Sequence, residues 1–154
     1  IANFNVYWNN PEATEAAFTQ DGYFRTGDIG YLDEDGYLFI VDRKKDIIIR
    51  GGENISCPEV EAAAYEHDAV AELSVFGIAD DRYGEVPGLV YFTKEGSELS
   101  PDELQSFLQA KLAPFKVPVH FWRVHEPLPR LGTQKIDRVT LRREYNAKVK
   151  ELED

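Results

Sequence analysis

The chain has 154 residues, which fits one medium domain or a small domain with a flanking piece. Hydrophobic residues make up 43% and charged residues 29%, so we expect a packed core, and this composition excludes wholesale disorder. The single cysteine excludes an intramolecular disulfide and a cysteine-cluster metal site, and it favours a reducing, cytoplasmic setting.

The net charge of −11 is unevenly distributed along the chain. Residues 1–110 carry 7 Lys and Arg against 22 Asp and Glu, whereas residues 111–150 carry 10 against 3. The acidic part disfavours nonspecific nucleic-acid binding. The basic segment suits a phosphorylated small molecule, and the alternative is a solvated basic helix face.

The ends of the chain and its apolar runs bear on location. No apolar run approaches the ~18 residues of a membrane span, and the N-terminus lacks the features of a signal peptide. Met is absent, including at position 1, and we therefore interpret the sequence as a piece of a longer protein.

The N-terminal part predicts a helix and a hairpin. Residues 11–18 have proline in the first turn of a short helix. The segment 33–36 ends in Asp-Gly between two apolar runs, which is typical of a β-hairpin. It does not fit an EF-hand, because the first calcium ligand would be Tyr31.

From residue 47 the sequence predicts strands and amphipathic helices. Residues 47–49 form a short buried strand, and 50–54 a flexible loop. Ser56 and Ser100 each begin a helix with a capping box, since Glu stands three positions later. The remaining predicted elements are strands at 70–78, 86–93 and 119–124 and a terminal helix containing Leu141, Tyr145 and Leu152.

This order predicts an α+β fold, a small sheet with amphipathic helices packed on it, preceded by the hairpin-containing tail of a larger domain. Residues 42–46 contain no apolar side chain, which is typical of an exposed linker or site. We therefore expect residues 1–42 to end one domain and residues 43–154 to form another.

Several residues suit chemistry, and each has a plainer alternative. Asp28 follows a glycine before a strand, so it could accept hydrogen bonds from two ribose hydroxyls or cap its own turn. Gly51 and Gly52 allow close backbone approach or positive φ, without the spacing of a P-loop. Lys135 could place a charge on phosphate oxygens, or simply be exposed.

Four segments in order, 7–14, 23–28, 42–61 and 129–138, resemble the adenylate-forming enzymes. This family contains acyl- and aryl-CoA ligases, firefly-type luciferases and peptide-synthetase adenylation domains. The segments cover nearly the whole chain, and they resemble the end of the large domain, the ribose-binding motif, the hinge with its following loop, and the segment with the catalytic lysine.

The resemblance implies a role for each candidate residue. Asp28 and Arg43 would bind the ribose of ATP or of the adenylate. Lys45 would be the hinge about which the small domain rotates. Gly51 and Gly52 would line the tunnel for the pantetheine arm of CoA. Lys135 would contact the α-phosphate and the carboxylate. No residue of this chain is implied as a metal ligand.

Two positions depart from the family pattern. Gln134 stands directly before Lys135, where the family usually has glycine, which leaves the conformation of that loop open. Val6 likewise replaces a glycine before Tyr7. The segment 58–61, Pro-Glu-Val-Glu, favours an acyl-CoA ligase over a peptide synthetase, which more often has Gly-Glu-Ile-Glu.

The resemblance thus implies the C-terminal lid of an AMP-forming acid–thiol ligase. It would activate a fatty or aryl acid with ATP and Mg²⁺ and transfer the acyl group to CoA. The Mg²⁺ ligand and the acyl pocket would belong to a large N-terminal domain, its main partner, and the fragment alone would be inactive. The alternatives are the lid of a peptide-synthetase or luciferase-like enzyme, or a stand-alone binding module.

Overall fold

The computed structural model describes residues 4–153. The chain divides after Lys45 into two compact units. The division falls within the charged segment 42–46, at a 3₁₀ turn that covers Lys44–Asp46.

The first unit contains one helix and one hairpin. Helix α1 is Pro11–Ala17, and strands β1 (Asp28–Leu32) and β2 (Leu38–Arg43) pair antiparallel. The Asn10 side chain caps α1 by accepting a hydrogen bond from Ala13 N, and proline occupies its first turn. The predicted helix and hairpin are confirmed.

The second unit is an α+β fold, which confirms the predicted class. Its sheet has the order β4-β3-β6-β5, and β7 pairs in parallel with β6. Its elements are β3 (Ile47–Arg50), β4 (Glu53–Ser56), α2 (Cys57–Tyr65), β5 (Val70–Asp80), β6 (Gly84–Thr93), α3 (Pro101–Gln109), a 3₁₀ turn at Pro114–Lys116, β7 (His120–Val124) and α4 (Arg138–Glu153).

The long strand β5 is buried on both faces, so the sheet separates two apolar clusters. Leu73 and Val75 pack in a cluster with Leu104 of α3. Phe76 and Ile78 pack in a second cluster with Tyr145 of α4. Because side chains alternate along a strand, β5 supplies both clusters, and each fully buried Leu or Phe contributes about 1.5–3 kcal/mol.

Three local predictions are wrong or incomplete. Residues 50–54 are not a flexible loop, because Glu53 and Asn54 pair with β3 in a tight hairpin. The segment 47–49 is not buried throughout, since 56% of Ile49 is exposed. Ser56 accepts from Glu59 N, but the Glu59 carboxylate binds Lys116 instead of closing a capping box. The capping box at Ser100 is confirmed.

Candidate functional site

Lys135 follows a tight turn with a defined backbone. Gln134 N–H donates to the Leu131 carbonyl at 2.9 Å, and Leu131 N–H donates to the Lys135 carbonyl at 2.8 Å. Gln134 has φ 66°, in the left-handed region. A left-handed residue that rejoins a strand-like pair after a turn is the arrangement of a G1 bulge, whose left-handed position is usually glycine.

Gln134 therefore adopts the left-handed conformation that glycine usually adopts at this position of the turn. The left-handed region costs a residue with a Cβ roughly 1–2 kcal/mol. Glycine avoids that cost, which explains why the family usually has glycine before its lysine. The turn that carries Lys135 thus stores local backbone strain.

We expect Gln134→Gly to raise the free energy of unfolding of the chain by roughly 0.5–1 kcal/mol. The relief of left-handed strain exceeds the extra backbone entropy that glycine loses on folding, about 0.5–1 kcal/mol. Urea unfolding followed by circular dichroism measures the change. Gln134→Ala keeps the Cβ and should give no gain, and an equal gain from both substitutions would contradict a strained Gln134.

Both ends of the Lys135 turn are anchored. Asp137 N–H donates to the Pro129 carbonyl at 2.8 Å, and Ile136 packs against the cluster beneath α4. The Asp137 carboxylate caps α4 by accepting from Thr140 N and from the Thr140 hydroxyl. The Thr140 backbone hydrogen bond is the main reason that the pKa of Asp137 lies below its usual range. The exposed Lys135 side chain therefore extends from a backbone that these contacts hold in place.

An ion pair that the sequence did not reveal holds the same turn. The Arg130 guanidinium donates to Glu72 Oε1 and to the Gln134 carbonyl, both at 2.6 Å. Glu72 Oε2 accepts from Leu128 N at 2.9 Å. Burial acts to raise the pKa of Glu72, but the Arg130 and Leu128 hydrogen bonds outweigh it, and the pKa lies below its usual range. Arg130 lies within the segment that resembles the family, which was its only signal in the sequence.

A second network ties α4 to the start of the unit. Arg138 binds Asp46 Oδ1 at 2.9 Å and Glu61 Oε1 at 2.8 Å, and Glu61 also accepts from Val75 N. Burial raises the pKa of Glu61 despite the opposing charge of Arg138. Arg138 therefore joins the helix after Lys135 to the residue after Lys45.

Gly51 and Gly52 form the two-residue turn between β3 and β4. Their φ values of 57° and 94° are both positive, as a type I′ hairpin turn requires, and Arg50 pairs directly with Glu53. Gly51 N–H donates to the Tyr83 carbonyl at 2.8 Å, and a Cβ on Gly51 would lie 3.2 Å from the Tyr83 ring. The turn presents exposed backbone at a fixed position.

The structure does not bring Lys135 together with the glycine turn. Gly51 of the glycine turn donates a hydrogen bond to the Tyr83 carbonyl. Tyr83 directly precedes Gly84, which pairs with Asp80 at one end of β5. The Lys135 turn is tied to Glu72, towards the other end of β5. Glu72 and Asp80 are eight positions apart along the strand, which corresponds to about 25 Å.

In the first unit, the structure brings Asp28 and Arg43 together. They are direct cross-strand partners, and Arg43 Nε lies 2.8 Å from Asp28 Oδ1. A carboxylate accepts hydrogen bonds and a guanidinium donates them. Vicinal hydroxyls such as those of ribose do both, so this pair has the chemistry to hold a ribose.

Lys45 lies between two tethered neighbours. Lys44 N–H donates to the Gly27 carbonyl at 2.8 Å, and Asp46 is paired with Arg138. Lys45 itself is exposed. Backbone rotation at Lys45 therefore breaks neither of these two contacts.

Among residues 4–153, no three His, Cys, Asp or Glu side chains cluster as a metal ion would require. No helix there has the length and apolar character to span a membrane.

Comparison with known proteins decides the family. Residues 59–135 match the model for the AMP-binding enzyme C-terminal domain. The chain belongs to this family. The family match contains Gln134 and ends at Lys135, so it includes the anchored turn described above.

Relatives of the family agree with this assignment. The chain is 46% identical to a long-chain-fatty-acid–CoA ligase of Bacillus subtilis, covering 84% of this chain and 23% of that protein. The ATP-bound structure of MatB from Rhodopseudomonas palustris matches with a TM-score of 0.79 and 34% identity, covering 91% of this chain and 28% of that one. The o-succinylbenzoate-CoA synthetase of Bacillus subtilis, in complex with its acyl-adenylate intermediate, matches with a TM-score of 0.75 and 40% identity, covering 88% and 27%. The chain thus spans about a quarter of the length of these relatives.

Proposed function

We propose that this chain is the C-terminal part of an AMP-forming acid–thiol ligase. Its mobile lid lies within residues 43–154, beyond the hinge at Lys45, and residues 1–42 belong to the end of its large domain. The family assignment supports the proposal, as do relatives that are named CoA ligases. The acid is a fatty or aryl acid, in line with the relatives named for long-chain fatty acids and for o-succinylbenzoate.

The observation that carries the proposal is the separation of the two turns. An AMP-forming ligase catalyses two half-reactions. The first needs a cation at the α-phosphate, and the second needs backbone without side chains beside the CoA thiol. Lys135 and the Gly51-Gly52 turn supply these features from anchor points about 25 Å apart along β5. One unit that rotates about Lys45 would present them in succession.

In the first half-reaction, we propose that Lys135 stabilises the transition state. A carboxylate oxygen of the acid attacks the α-phosphorus of ATP, pyrophosphate leaves, and charge develops on the α-phosphate oxygens. The Lys135 ammonium group would meet that charge, and a contact of this kind contributes about 3–4 kcal/mol. Asp28 and Arg43 would hold the ribose during the attack.

In the second half-reaction, the CoA sulfur attacks the acyl carbon and AMP leaves as the thioester forms. We propose that the Gly51-Gly52 turn lines the passage for the pantetheine arm. Side chains are absent from both positions, and the hairpin fixes the backbone, so a narrow chain could pass close to it. In this proposal, the large domain holds Mg²⁺, the phosphate-binding loop and the acyl pocket. The proposed enzyme is cytoplasmic.

The β1–β2 hairpin also supports this assignment. Its apolar side chains are strongly exposed, including Tyr31, Leu38 and Phe39. Tyr31 and Phe39 stack with their ring centroids 5.2 Å apart. Exposed apolar side chains on both faces of the hairpin favour burial against further protein, which we propose is the large domain.

Activity assays of the isolated chain and of the full-length enzyme test the proposal. The purified 154-residue chain should neither exchange pyrophosphate with ATP nor form acyl-CoA. The full-length enzyme should do both with a long-chain fatty acid or an aryl acid. Turnover by the pure chain would contradict the lid assignment. Adenylation without any CoA thioester would favour the peptide-synthetase or luciferase-like alternative.

A further inference from the structure

We propose that Arg130 and Glu72 are positioning residues for Lys135. Together they fix the peptide group from which the lysine side chain extends. This inference rests on the proposed function of Lys135 in adenylation and adds two residues to its site.

Arg130 contacts the backbone of the turn directly before Lys135. Its guanidinium donates to the Gln134 carbonyl at 2.6 Å, and this carbonyl belongs to the peptide bond that joins Gln134 to Lys135. The hydrogen bond therefore sets the orientation of the peptide plane immediately before the lysine. A charged donor makes a stronger hydrogen bond than a neutral one.

The left-handed conformation of Gln134 explains why the Arg130 hydrogen bond matters. At φ 66° a residue with a Cβ tends to leave the left-handed region, and this would rotate the peptide plane. The Arg130 hydrogen bond stabilises the strained conformer. A glycine at this position would need less support, so the arginine matters most in a chain with Gln134.

Glu72 connects this contact to the sheet. Its Oε1 atom accepts from Arg130 at 2.6 Å, and its Oε2 atom accepts from Leu128 N at 2.9 Å. Glu72 lies on β5 opposite Phe92, in the longest strand pair of the unit. The planar fork of arginine bridges two acceptors at once, which the single ammonium group of lysine does less well.

The first test uses the 154-residue chain and does not depend on catalysis. Arg130→Met should speed amide exchange of Gln134 and of Leu131 about 10-fold, because a charged hydrogen bond that holds the turn is lost. NMR of the native chain measures both rates. Lys111→Met is the matched control, since Lys111 also makes a 2.6 Å ion pair, with Glu66, outside this turn. Equal exchange in wild type and Arg130→Met would overturn the proposal.

The second test uses the full-length enzyme that contains this chain. Arg130→Met should slow acyl-adenylate formation about 10–100-fold, the effect of misplacing a catalytic group. Thioester formation from pre-made acyl-adenylate should not change. Glu72→Gln should slow adenylation less, Arg130→Lys should restore part of the rate, and Lys111→Met should leave it unchanged.

The double variant Arg130→Met with Lys135→Ala separates positioning from a direct role. If Arg130 acts through Lys135, its loss should have little further effect once the lysine is gone. Additive losses would overturn positioning, because Arg130 would then act on the substrate independently. Slow adenylation in Lys135→Ala with normal adenylation in Arg130→Met would overturn the inference and leave the proposed function intact. Normal adenylation in Lys135→Ala would contradict the proposed role of Lys135, and this inference with it.

Discussion

Replacing Lys135 with alanine in the full-length enzyme is expected to slow acyl-adenylate formation by about 10²–10³-fold. The variant loses one cationic contact to the charge that develops at the α-phosphate, and such contacts are worth that factor in other enzymes. The anchored turn fixes the backbone that carries the lysine, so only the side chain has to be ordered when the ammonium group meets the phosphate. Single-turnover release of pyrophosphate measures the step.

Lys135→Ala should leave thioester formation from pre-made acyl-adenylate nearly intact. In that step the lid is rotated, and Lys135 lies away from the reacting atoms in our proposal. Lys94→Ala is a control that removes another exposed lysine of the same unit and should affect neither step. If Lys135→Ala slows both steps equally, the role assigned to Lys135 is wrong.

Replacing Lys45 with proline should have the opposite selectivity. Proline fixes φ near −65°, a value that a 3₁₀ turn accommodates, and therefore blocks rotation at this residue. Lys44 and Asp46 are each held by a neighbour, so we expect no adjacent residue to replace the lost rotation. Adenylation should persist, and CoA transfer should fall by about 10²-fold or more, as for other blocked closure steps.

Lys45→Ala is the control for the hinge. Alanine removes the same side chain but leaves φ free, so both half-reactions should continue. Rapid-quench assays of acyl-adenylate and acyl-CoA distinguish the two variants. Equal loss of CoA transfer in Lys45→Ala and Lys45→Pro would show that the side chain, and not the backbone rotation, is what matters.

The sequence predicted those parts of the fold that depend on neighbouring residues. The proline in the first turn of α1, the capping box at Ser100 and the Asp-Gly hairpin turn are local signals, and the structure contains all three. Residues 50–54 were predicted wrongly because β4 is short and polar. Its residues Glu53 and Asn54 become a strand only because β3 pairs with them.

The residues of the candidate site were likewise predicted where the signal is local and missed where it is not. Lys135, Asp28 and the glycine pair were found from motifs read along the chain. Glu72 was not, because it meets Arg130 across 58 positions of sequence, and only the folded sheet brings them together. The same holds for Arg138 and Asp46.

The left-handed Gln134 shows a further limit of sequence reading. The missing glycine left the conformation of the loop before Lys135 open in the sequence. The structure retains the left-handed backbone at φ 66° and supplies a guanidinium at its carbonyl. Such compensation comes from a residue four positions away and depends on a side chain of β5, so no local pattern reveals it.

In our proposal, one small unit serves two half-reactions with different residues. The most direct measurement determines both single-turnover rates in the same preparations of wild type, Lys135→Ala and Lys45→Pro. Our account predicts that the ratio of the adenylation rate to the thioester rate falls about 100-fold or more in Lys135→Ala and rises in Lys45→Pro. A ratio that stays constant, or that moves in the same direction in both variants, would contradict it.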